Sequence, residues 1–312
     1  MTEMKEIATR DSYGASLLEL GKETTDVIVM DADLAGATKT SMFKNAYPER
    51  FFDCGIAEQN MAGTAAGMAA MGLVPFISSF AMFAAGRAFE IIRNSIGYPR
   101  LNVKICATHA GLSVGPDGAT HQCNEDFGLM RTIPGMTVMC PSDDVEARKM
   151  IRAAYDMNGP VYIRLGRSPV PVFHEEDYDF QIGKAETLRE GKDVAIIATG
   201  IMVYEALKAA TLLQEDGINA MVINMPTIKP LDEAAVLSAA RECGHIVTVE
   251  EHNILGGLGE AVCAVTSEHF PVPVKRIGVR DTFGKSGSAD EILAEYGLSD
   301  QNIAKETKTF LL

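Results

Sequence analysis

The chain has 312 residues, room for two domains of ordinary size, and its 47% hydrophobic and 22% charged residues suit a globular protein with a sizeable core. An excess of 42 acidic over 28 basic residues gives a formal charge of -14, which argues against nucleic acid as a main partner, because a phosphate backbone calls for clustered Lys and Arg. No apolar stretch reaches the roughly 18 residues of a membrane span, nothing at the start reads as a secretory leader, and the six cysteines form neither a CxxC pair nor a zinc spacing.

A cytoplasmic protein with buried, reduced thiols is therefore expected. The acidic balance leaves a small anionic substrate open, since a few cations inside a cleft reverse the sign locally.

Short apolar runs alternate with longer amphipathic stretches, the pattern of parallel strands joined by helices. In chain order the residues predict helix over 12–24, strands over 27–31 and 51–54, helix over 58–71 and strand over 74–78. Helix 84–96, strands 103–108 and 136–140, helix 143–155 and strand 161–165 follow. Ser142 reads as an N-cap, with Glu146 in an acidic first turn. Residues 168–192 break the rhythm with Pro169, Pro171 and the run Glu175-Glu176-Asp177, and read as a linker crossing the surface. Beyond it come strands 194–198, 220–224, 246–250 and 274–279 with helices between them. The fold class expected is α/β, two domains in series over residues 1–180 and 181–312, the first with a mostly parallel sheet.

Three runs carry chemistry. In Asp53-Cys54-Gly55-Ile56-Ala57-Glu58-Gln59-Asn60 a strand ends, glycine turns the chain and Glu58 opens a helix rich in Ala and Gly. From spacing alone Glu58 reads equally as an acid favoured by the helix dipole. Phe80 and Phe83 sit three apart at an expected helix start and share a face, which alone usually means core. The segment from Thr108 to Gln122, with His109, Gly111, Gly115, Asp117, Gly118 and His121, follows a strand. Ligands of open α/β sheets bind at that edge. No third ligand stands at metal spacing from the two histidines, so no metal site is expected in this chain.

In this order the runs Gly55-Ile56-Ala57-Glu58-Gln59-Asn60, Ser79-Phe80 and Asp117-Gly118-Ala119-Thr120-His121-Gln122 resemble the transketolase superfamily of thiamine-diphosphate enzymes. The resemblance extends over nearly the whole chain, through Thr248-Val249-Glu250-Glu251-His252-Asn253 and Gly256-Gly257-Leu258-Gly259. It is to a pyrimidine-binding domain followed by the family's C-terminal domain. The family binds the diphosphate and its metal through a Gly-Asp-Gly motif, which these residues lack, and Met1 stands almost directly before the pyrimidine domain. The resemblance therefore implies the C-terminal subunit of a two-chain transketolase of the pentose phosphate pathway. Its expected partner is an N-terminal subunit holding most of the thiamine diphosphate and its Mg2+ or Ca2+, in an α2β2 heterotetramer.

The resemblance also implies roles for residues. Glu58 would hydrogen-bond the cofactor's pyrimidine and activate it, Phe80 and Phe83 would wall that ring, and Asp33 would lie at the cofactor and subunit interface. A loop-capping Asp is the alternative reading of Asp33. His121 would serve the reacting carbons, Asp117 would read the sugar's hydroxyl configuration, and His109 and Arg167 would hold the sugar phosphate. Two family positions differ: the third aromatic is Gly86, and the phosphate-binding Ser is missing after Asp31-Ala32-Asp33-Leu34, where Thr38 is a substitute. His252 and the glycines 256–259 read as a helix entry and dimer surface. Rival readings are the β subunit of a 2-oxo acid dehydrogenase component, a relative of deoxyxylulose-phosphate synthase, and a non-catalytic scaffold or regulatory subunit.

Overall fold

The computed structural model describes residues 4–312. Fourteen strands are present among the described residues. In the first half these are β1 (Glu6–Ala8), β2 (Val27–Asp31), β3 (Phe51–Asp53), β4 (Val74–Phe80), β5 (Lys104–Thr108), β6 (Thr137–Met139), β7 (Val161–Arg164) and β8 (Pro169–Pro171). The second half holds β9 (Glu186–Arg189), β10 (Val194–Ala198), β11 (Ala220–Asn224), β12 (Thr227–Lys229), β13 (Ile246–Asn253) and β14 (Val274–Val279).

The first sheet has the order β12-β6-β7-β5-β4-β2-β3, parallel except for β12. Every residue of β2, β4, β5 and β7 is buried, as expected of a parallel sheet covered by helices on both faces. The second sheet has the order β14-β13-β10-β11-β9, with β9 antiparallel. β12 comes from sequence beyond residue 180 yet pairs with β6 of the first sheet, so the two halves share a hydrogen-bonded seam. One apolar cluster runs through that seam from Ile77 and Ile105 to Ile228 and Leu258. Each fully buried side chain of that size contributes about 1.5–3 kcal/mol.

Three local expectations are corrected. Phe80 is the last residue of β4, and the expected helix over 84–96 is instead two wide π-helical turns, Met82–Arg87 and Ile92–Gly97, around Phe89–Ile91. The cap of helix Asp144–Asp156 is Asp143, whose Oδ1 accepts the Glu146 N–H, while Ser142 donates to the Glu146 carboxylate. Residues 168–192 are more than a linker: β8 pairs with β1, β9 joins the second sheet, and His174 and Phe180 are buried. Short strands of three or four residues carry too little periodicity to be read from sequence. The six cysteines are all free, four of them buried. Among the described residues no helix is long and apolar enough to cross a membrane.

Candidate active site

The parallel ladder fixes where the motifs meet. Asp33 follows β2, Glu58 follows β3, Phe80 ends β4 and Phe83 follows it, His109 to His121 follow β5, and Arg167 follows β7. All lie at the C-terminal edge of one sheet, the edge at which α/β folds bind ligands.

Glu58 is the first residue of helix Glu58–Ala70 and is 1% exposed. Its Oε2 accepts Arg87 Nη1 at 3.0 Å, and Oε1 takes no hydrogen bond among the described residues. The Arg87 guanidinium lies 5.7 Å from the centre of the Phe83 ring. Phe83 stacks on Phe80 at 5.8 Å between ring centres, so the carboxylate and the aromatic pair form one group. A buried carboxylate with an open oxygen beside a half-buried aromatic face fits an aminopyrimidine, which needs a partner for its ring nitrogen and a surface to lie on. At Gly86 a Cβ would stand 2.5 Å from the Met82 methyl, so Met82 occupies the space that a side chain there would enter.

The aromatic group continues into the histidines. His109 stacks on Phe80 at 3.9 Å, and His121 meets Phe83 edge-on at 5.3 Å. His109 adopts φ +57°, a left-handed conformation rare outside glycine, and its Nε2 lies 3.1 Å from Arg10 Nη1. Arg10 can only donate, so Nε2 accepts and Nδ1–H donates to Thr108 Oγ1 at 2.9 Å. Burial first, then Arg10, Arg167, His121 and Lys39, hold His109 down to about 3, a neutral ring ringed by cations. Arg167 donates to the Val114 carbonyl and lies 3.9 Å from Asp117. In a protein of net charge -14, this is a local reversal of sign.

Arg10 is the residue that sequence reasoning missed. A signal was present: Arg10 stands in the first turn of helix Thr9–Glu23, where the helix dipole disfavours a cation. Its second contact is the Ala37 carbonyl at 3.2 Å, beside the position of the missing Ser. Thr38 does not replace that Ser, because it is fully buried and gives its hydroxyl to Asp31 Oδ2 at 2.6 Å. Asp33 is exposed with φ +64°, and the capping is done instead by Asp31, which accepts Leu34 N–H, and Asp53, which accepts Asp33 and Gly55 N–H. The expectation of a dimer surface at His252 is also corrected. His252 is fully buried and stacks on Phe127, while Glu250 accepts the Leu258 and Gly259 N–H groups at a helix entry. Among the described residues no three His, Cys, Asp or Glu side chains are grouped to hold a metal.

The transketolase pyrimidine-binding domain model matches residues 5–172, and the transketolase C-terminal domain model matches residues 183–303. The chain belongs to the transketolase family. It is 50% identical over 299 residues to a putative transketolase C-terminal section of Methanocaldococcus jannaschii, covering 95% of this chain and 94% of that one. It is 44% identical over 296 residues to the 6-deoxy-6-sulfo-D-fructose transketolase subunit SqwH of a Clostridium species, covering 95% and 92%. A solved split-gene transketolase, an inactive beta4 tetramer, superposes with a TM-score of 0.92 at 51% identity over 98% of each chain. These relatives are transketolase subunits matched over almost their full lengths, so the chain is a transketolase subunit, and the dehydrogenase and synthase readings are not favoured.

Proposed function

We propose that this chain is the cofactor-activating half of a two-chain transketolase, moving a two-carbon ketol unit from a ketose phosphate to an aldose phosphate. The observation that carries the reading is the joining of Glu58, Phe83, Phe80, His121, His109 and Arg10 in one run of contacts at the sheet edge. A separate N-terminal subunit would hold the diphosphate and Mg2+ or Ca2+, since no Gly-Asp-Gly occurs in the 312 residues. An α2β2 assembly is the simplest arrangement in which each Glu58 meets such a partner. Free thiols throughout suit a reducing cytoplasm.

Thiamine diphosphate, when bound, supplies the carbanion stabilisation that the reaction needs. Glu58 would share a proton with the pyrimidine nitrogen through its open Oε1. Phe83 would carry the ring on its face with Phe80 behind it. His121 would hold a donor hydroxyl and move its proton, and Asp117 would distinguish the configuration of a neighbouring hydroxyl. Arg10 and Arg167 would grip the phosphate with forked donors, and neutral His109 would orient Arg10. Asp33, exposed beside this edge, would face the cofactor and the partner.

The decisive assay mixes the chain with a Gly-Asp-Gly partner, thiamine diphosphate and Mg2+, and follows xylulose 5-phosphate with ribose 5-phosphate. A sulfonated ketose runs in parallel because of the Clostridium relative's substrate. Activity should require both chains and fall by about 100-fold or more in Glu58→Gln, the scale of a lost proton-transfer group. Full activity from this chain alone would sink the two-chain reading, and an unaltered Glu58→Gln would sink the role of the carboxylate.

A further inference from the structure

The loop that carries Asp117 and His121 is held from two sides, by hydrogen bonds within its own domain and by others from the second domain. It leaves β5 through His109, turns at Gly111 with φ +77°, makes one short turn over Leu112–Asp117 and returns through Gly118 with φ +75°. Gly115 interrupts that turn with φ +73° and ψ -110°. A segment with so many left-handed positions is conformationally permissive and needs outside contacts to fix it.

In its own domain Gly111 N–H donates to the Cys123 carbonyl at 2.9 Å, Arg167 to the Val114 carbonyl and Ser168 Oγ to the Ser113 carbonyl at 3.1 Å; the remaining contacts come from the second domain. The Glu251 carboxylate, near the C-terminal end of β13, accepts the Ser113 N–H at 2.8 Å through Oε2 and the Ser113 hydroxyl at 3.0 Å through Oε1. Any side chain at Gly111 would collide with Glu251, whose Cδ lies 2.3 Å from the place of a Cβ. Glu251 is itself fixed, being buried with its carbonyl accepting Arg164 Nη2 at 2.9 Å, and the same nitrogen reaches the Cys123 carbonyl at the loop's far end. On the other side Gln122 Nε2 donates to the Lys285 carbonyl at 2.9 Å, and Ser286 packs against Gly118. Glu251 takes two hydrogen bonds from Ser113, backbone and side chain, where Lys285 takes one from Gln122, so it is the firmest of the second domain's holds.

We infer that Glu251 is a positioning residue for the sugar-binding loop, fixing Ser113 and through it the placement of Asp117 and His121. The C-terminal domain thereby takes part in substrate recognition without touching the sugar. The inference rests on the reading above that Asp117 and His121 meet the sugar. A loop displaced by about 1 Å from its productive geometry costs on the order of 100-fold in rate.

The test uses the assembled two-chain enzyme with thiamine diphosphate and Mg2+. Glu251→Gln keeps the shape but offers one acceptor oxygen where two are used. It should lower kcat/KM for the sugar donor by about 10-fold or more, with cofactor affinity unchanged. Backbone hydrogen exchange over residues 109–122 should quicken in the same variant. Ser113→Ala should reproduce a smaller part of the loss, and combining it with Glu251→Gln should add little. Wild-type kinetics and wild-type exchange in Glu251→Gln would overturn the inference. Should that variant fail to fold, Ser113→Ala decides by the same two measurements. If Asp117→Asn and His121→Asn themselves behave as wild type, the sugar-site reading fails; if they lose activity while Glu251→Gln does not, only the positioning role fails.

Discussion

Two buried histidines stand in opposite surroundings. His109, at the sheet edge, is ringed by Arg10, Lys39 and Arg167 and is held down to about 3. His174, between the two domains, lies with Nδ1 3.0 Å from Asp143 and Nε2 2.9 Å from Glu186, stacks on Tyr178 and is raised to about 10. Burial penalises the charged form in both. The neighbours decide: cations reinforce the neutral ring of His109, whereas carboxylates outweigh burial at His174. One cluster sets cations around a neutral ring, and the other has its anions built in and works as a domain clasp.

The largest effect expected from that contrast is on stability. His174→Gln leaves Asp143, Glu146 and Glu186 without their shared cation and should cost about 3 kcal/mol, the low end for a broken buried pair because Glu186 is partly exposed. A raised histidine stabilises fully below its unfolded value and loses that contribution as pH rises through its folded value. The difference between wild type and His174→Gln in denaturant unfolding should therefore shrink between pH 8 and pH 10. A difference that stays constant over that range would mean the clasp does not depend on the imidazolium.

Next in size is the proposed anion site. Arg10→Met should lower kcat/KM for a phosphorylated donor by about 10-fold or more, the value of a charge-assisted hydrogen bond, and should barely affect a donor without phosphate. Equal losses on both donors would assign Arg10 to loop architecture instead. The smallest effect concerns His109. Its depressed value means that the unfolded chain binds the proton first, so stability falls as pH drops below the unfolded value towards about 3. Between pH 7 and pH 6 this amounts to about 0.7 kcal/mol, which His109→Asn should abolish. Imidazole nitrogen shifts recorded by NMR over the same interval should show a neutral ring, and a titration near pH 6.5 would break the contrast between the two histidines.

Much of the framework is legible in the residues. β2, β10, β11 and β14 run over the ranges expected, because short apolar, β-branched runs between turn residues read clearly as parallel strands. The short strands β1, β8, β9 and β12 were not legible, since each depends on a partner strand far along the chain. The linker reading failed for that reason, although its prolines and acidic run were seen correctly. At the site, Glu58, Phe80, Phe83, His109, Asp117, His121 and Arg167 could be named because they sit in dense motifs. Arg10 sits in none, and Thr38 looked available until Asp31 was found to hold its hydroxyl.

Sequence alone determined the alternating architecture and which residue types stand at the ends of the strands, because hydrophobic period and turn chemistry are local. It determined the family for the same reason, through contiguous motifs. Only the tertiary structure decided which strand ends face one another. It brought Arg10 against His109 across 99 residues and Glu251 against Ser113 across 138. It also decided the local sign of charge, because a field depends on which charges end up close together in poorly screened space, and an overall charge of -14 carries no information about that.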